Sequence, residues 1–201
     1  MSVTETAAPR PSPAGALLRW QFSLAHRLLE DTVASIPDTT AHDAARPVSA
    51  LRPPWSGTTA TPAGACYAHV VYGEDLIVNG ILAGRQPLAI STWAGRTGLG
   101  ELPTLGGSIA SPIPEQPAWC AWARRVQIDL APLRAYAQAV YAATDAYLAT
   151  VSDAVLDPGR RELPGCLLNA LLLTLAMRRG EIATRLALDH HPSHPVAKGS
   201  T

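Results

Sequence analysis

The stretch CLLNALLLTLAMRRGEIATRLAL, Cys166 to Leu188, is the longest apolar segment of the chain, and its reading decides the fold. It holds no proline, and its first glycine is Gly180. Its apolar part, Cys166 to Met177, falls short of the roughly 20 residues that span a bilayer. The pattern predicts a helix buried in a bundle and apolar nearly all round. Thr174 and Arg178 interrupt it at i and i+4, on one face. A buried guanidinium is costly to desolvate, so Arg178 needs a partner or a task.

Upstream, Leu130 to Ser152 reads as a long helix, with Asp129 as its cap, Pro132 in its first turn, and Leu133, Tyr136, Val140, Tyr147 and Leu148 inward. Asp157-Pro158-Gly159 reads as a turn between these two helices. Ala118 to Val126 predicts a short helix carrying Trp119 and Trp122. The second long helix begins at Thr61-Pro62, a cap followed by a proline, and stops at Gly84. Ala14 to Ile36 is the first, with apolar residues recurring at three and four until Pro37. A polar, proline-broken loop follows from Asp38 to Thr61. Arg85 to Pro117 is a long crossover with Trp93 and several glycines, either a simple connection or a cap over a pocket. The expected architecture is all-α: a four-helix bundle, residues 14–189, with a long crossover between helices 2 and 3. Residues 1–13 form a Pro/Ser/Thr-rich arm and 190–201 a tail, both expected to be disordered.

Composition narrows the function classes. Apolar residues make up 47 % and charged ones 16 %, and sixteen basic residues balance sixteen acidic ones. That balance gives no footprint for nucleic acid or an anionic membrane. Cys66, Cys120 and Cys166 are widely spaced, so disulfides are not expected; Cys66 and Cys166 read as small buried hydrophobes. The N-terminus lacks a basic segment followed by an apolar core, so a cytoplasmic protein is expected. No nucleotide-binding glycine motif and no GxSxG elbow is present, and TLGGSI at Thr104–Ile109 lacks the phosphate-loop lysine.

His69 lies within the apolar pattern of the second helix, whereas His26 sits among charged neighbours on the first. Five blocks together resemble the DinB-like family of four-helix bundles, which includes metal-dependent thiol S-transferases and mycothiol-dependent maleylpyruvate isomerases. They are LLRWQ at Leu17–Gln21, AHVVYGEDLIVNGILAG at Ala68–Gly84, TWAGRTGL at Thr92–Leu99, WARRVQIDLAPLRAYAQAVYAATDAYLA at Trp122–Ala149, and RRGEI at Arg178–Ile182. The resemblance implies a divalent metal held by a histidine of helix two and an HxxxH pair on helix four. His69 matches the first ligand, but the pair falls on Thr174 and Arg178. Threonine is a poor ligand and arginine none, so no metal and no other cofactor is expected.

Three readings remain open. The site is a relic, with Arg178 paired to an acid such as Glu74, Asp75 or Glu181. It binds an anionic small molecule. Or it is a metal-independent isomerase, cyclase or lyase, plausibly in specialised metabolism, in which His69 moves a proton and Arg178 stabilises an oxyanion. In the enzymatic reading Thr174 donates a hydrogen bond, and Glu181 orients Arg178. Trp20, Gln21, Tyr72, Asn79 and Trp93 line the cavity. A metal-dependent mycothiol S-transferase is the further alternative. The expected partner is a small-molecule substrate. A homodimer is compatible with such bundles, although no surface stripe in the sequence argues for one.

Overall fold

The computed structural model describes residues 12–36, 62–103, 117–156 and 163–190. The expected arm and tail (apart from residues 12, 13 and 190), the loop 38–61, the TLGGSI segment and the Asp157-Pro158-Gly159 turn lie outside the described residues. The described chain is all-α, and its only β feature is an isolated antiparallel bridge between Leu99 and Ile128. No described helix is long and apolar enough to cross a membrane.

Helix α1 spans Pro13–Val33, opened by Ser12, whose hydroxyl accepts from the Gly15 N–H at 2.9 Å. α2 spans Ala63–Asp75 and continues as a π-helix, Leu76–Leu82. A 3-10 turn follows at Leu88–Ile90, then α3, Pro117–Arg125, and α4, Leu130–Leu148. α5 is one turn, Asp153–Leu156, and α6 runs Leu163–His190. Asp129 caps α4 as expected, its carboxylate accepting from the Ala131 N–H at 3.2 Å. Pro62 is the cap of α2 rather than its first helical residue, a one-position difference from the expected start. α1 packs against α4 and α6, and α2 packs against the same two helices.

Burial redistributes the roles expected of these helices. Every residue of α2 except His69 is buried, because α4, α6 and its own π-helical continuation pack around it. α6 buries one stripe, Leu168, Leu171, Leu175, Arg178, Ile182 and Leu186, at spacings of three and four. Its other side leaves Leu173 62 % and Met177 50 % exposed, so α6 is not the all-round buried element its composition suggests. Cys66 is buried as expected, but Cys166 is exposed on α6.

The change from α to π geometry comes at a buried carboxylate. Asp75 accepts from Asn79 Nδ2 at 2.8 Å, the Leu88 and Ala89 N–H groups at 2.9 and 2.8 Å, and the Tyr136 hydroxyl at 2.7 Å. It ties the end of α2 to the start of the crossover and to α4. Gly84 at φ 61° ends the helical run where the sequence placed its stop. A second anchor lies at Gly98, φ 78°, where a Cβ would sit 2.4 Å from the Asp129 carbonyl oxygen. Only glycine permits that approach. It lets Asp129 N–H reach the Gly98 oxygen at 2.8 Å and Gly100 N–H reach the Gln127 oxygen at 2.9 Å. The described part of the crossover is thus pinned at both ends.

Candidate functional site

Of the residues expected to form the site, the structure brings His69 and Thr174 together. They face a narrow slot of about 20 Å³ between α2 and α6, otherwise lined by Val70, Gly73, Ile77, Leu167, Ala170 and Leu171. That is room for one water-sized group. His69 is part-buried, but its Nδ1 is fully buried and has no hydrogen-bond partner among the described residues. Its ring packs 4.5 Å from Trp119 of α3. Burial lowers the imidazole pKa to about 4; the Arg178 charge adds to this and Glu181 opposes it. His69 is therefore a neutral base at pH 7.

Gly73, one turn beyond His69, sits buried near the end of α2, where the helix runs on into its π-helical continuation, yet a Cβ there would meet nothing within 4 Å. Glycine inside a helix costs about 1 kcal/mol relative to alanine. Here that cost is not explained by a close helix contact, and it leaves space beside the imidazole.

Arg178 is buried, at 7 % exposure, one turn past Thr174. Its partner is Glu181, reached through Nη1 at i+3; Glu181 also takes Arg185 Nη2 at 2.6 Å. Burial alone would raise the Glu181 carboxyl, but Arg185 and Arg178 bring it below its ordinary value. Cys66 lies against this cluster, and burial pushes its thiol up to about 12, so it is no thiolate nucleophile. Glu181, expected to orient Arg178, pairs with it and neutralises the cation. Thr174 donates to the Ala170 oxygen at 2.8 Å, so its oxygen offers the slot an acceptor rather than the expected donor.

The remaining expected residues lie elsewhere. Trp20 is 60 % exposed on α1, and Gln21 is part-buried beside it. Tyr72 is buried but outside the slot lining; burial first, then Asp75, raises its pKa. Asn79 is committed to Asp75. Trp93 packs on Tyr136 at 5.9 Å, with Arg96 over its ring.

A second polar centre, absent from the sequence reading, lies between α1 and α4. His26 Nε2 is 3.0 Å from Oε2 of Glu74, a fully buried carboxylate of α2 that also accepts from the Thr144 hydroxyl. The His26 ring stacks on Tyr141 at 3.8 Å. Glu30, one turn along α1, accepts from the hydroxyls of Tyr67 and Tyr141 and from Arg134 Nε at 3.1 Å. Burial and the Glu30 charge hold both phenols well above their ordinary pKa. His26, Glu30 and Tyr141 of this centre help wall a cleft of about 340 Å³ open to solvent. The available signal was the pair Glu74-Asp75 inside an otherwise apolar helix: neither acid pairs with Arg178, and each is the hub of its own network.

Comparison of the chain with protein-family models, with curated proteins and with solved structures finds no match.

Proposed function

We propose that the chain is a metal-independent enzyme acting on a small organic molecule by proton transfer, of the isomerase, cyclase or lyase type. Its scaffold is read as a DinB-like four-helix bundle of α1, α2, α4 and α6, with residues 85–117 as the crossover. The motif blocks quoted above and the mutual packing of those four helices support that reading. The observation that carries the function is the buried Nδ1 of His69, a neutral base without a partner, beside a slot that Gly73 keeps open. A group entering the slot lies beside the His69 ring and the Thr174 side chain. The Arg178 charge lies behind it, balanced by Glu181, and opposes protonation of His69. A proton taken by Nδ1 is thus readily returned, as a shuttle requires.

The divalent metal of the resembled family does not fit these residues. His69 is the lone imidazole at the slot, and among the described residues no cluster of three His, Cys, Asp or Glu side chains is disposed to hold an ion. The guanidinium nearby repels one. A second reading, a catalytically dead relic, draws on a specific observation: Glu181 already occupies Arg178, which counts against an anion-binding protein as well, and the slot admits only one small group.

Native mass spectrometry of the untagged full chain identifies the bound molecule, and deuterium uptake from solvent into that molecule reads proton transfer. Wild type is expected to exchange, and His69→Ala to do so at least about 100-fold more slowly. Exchange undiminished in His69→Ala contradicts the mechanism. A molecule released unchanged and unlabelled by wild type selects the binding reading.

A further inference from the structure

The geometry points to the α1–α4 cleft as a second ligand site, for a small organic carboxylate seated between His26 and Arg27. It is separate from the His69 slot, sharing no lining residue with it. His26 has a built environment: Glu74 fixes Nε2 at 3.0 Å, and Tyr141 fixes the ring plane by stacking. A carboxylate only accepts, so the hydrogen on Nε2 points to Glu74 and the tautomer is set. Nδ1 makes no hydrogen bond to a described residue. It is the ring nitrogen left over once Glu74 holds Nε2.

The charges along the cleft select the ligand. α1 contributes Arg19, Ser23, His26, Arg27, Glu30 and Asp31 at successive turns of one face. Asp145 holds Arg19 in a fork, with both contacts at 2.7 Å. Glu30 is satisfied by Arg134 and two phenols. These acids are compensated where they stand and repel an incoming anion little. Arg27 pairs with no acid among the described residues and adjoins His26, with Ser23 one turn before it. Asp31 lies a turn further on, at the end of the lining. An anion at the centre therefore meets a guanidinium and a hydroxyl beside the edge of the His26 ring, while Phe22 and Tyr141 supply apolar wall for a planar body.

Benzoate and its neutral isostere benzamide test this on the isotope-labelled full chain, followed by NMR. Benzoate is expected to bind in the millimolar range, to shift the His26 imidazole resonances and to leave His69 unmoved. Benzamide should bind about tenfold more weakly, the worth of one charge-assisted contact. Arg27→Ala, at an exposed position that leaves the core intact, should weaken benzoate about tenfold and leave benzamide unchanged. His26→Asn should weaken both. Equal binding of the two probes, or indifference of benzoate to Arg27→Ala, overturns the carboxylate assignment. Benzoate shifts that bypass His26 overturn the site itself.

Discussion

His26 and His69 are both largely withdrawn from water, on successive helices of the chain, and their surroundings are opposite. His26 is fully furnished: a buried carboxylate on one nitrogen, a phenol ring stacked at 3.8 Å, and an open cleft of about 340 Å³ alongside. His69 is starved: a buried nitrogen with no partner, a guanidinium nearby, and a slot of about 20 Å³. The difference teaches that partners and access, rather than burial, decide what an imidazole does. A partnered ring keeps one tautomer. An unpartnered ring is held neutral and keeps a free nitrogen, at a cost in stability.

The largest expected break in this contrast comes from Glu74→Ala. It strips His26 and Thr144 of their shared acceptor in the core, and denaturant unfolding should show a loss of about 3–5 kcal/mol. A loss below about 1 kcal/mol would mean that the His26 surroundings are no more demanding than a surface pair. Gly73→Ala should act in the other direction at His69. Alanine meets no atom there and suits a helix better, so stability should rise by about 0.5–1 kcal/mol while the slot fills. Deuterium exchange into the bound molecule should fall in the same variant. A gain in stability with exchange intact would detach the slot from function.

Much of the framework is legible in the sequence. The three- and four-residue apolar spacing in α1, the Asp129 cap of α4 and the stop at Gly84 are local signals, and each lies where it was read. Which helix is central is not local. α6 has the more continuous apolar run, but it is covered on one side only, whereas the less apolar-looking α2 is enclosed by its neighbours. The same blindness hid the His26 centre. His26 and Glu74 are 48 positions apart, and on α1 His26 stands among charges that look solvated until folding pairs Arg19 with Asp145 and Arg134 with Glu30. His69 and Thr174 could be paired from their apolar surroundings and the resemblance. The expected ring of aromatic and amide contacts about them could not. Trp20 faces solvent, and Asn79 is consumed by Asp75, because which side chains reach a slot depends on helix rotation that spacing alone leaves undetermined.

The central claim is that His69 is an unpartnered base held neutral in the interior, and NMR titration of its ring nitrogens tests it most directly. The folded-state pKa of about 4 lies below the ordinary 6.5. The unfolded chain therefore binds the proton first as pH falls, and stability present above pH 6.5 is lost between 6.5 and 4, on the order of 3 kcal/mol. The account predicts a His69 ring that stays neutral to about pH 4, with that acid loss absent from His69→Leu. A His69 ring titrating near 6.5, with the same acid loss in both proteins, would contradict it.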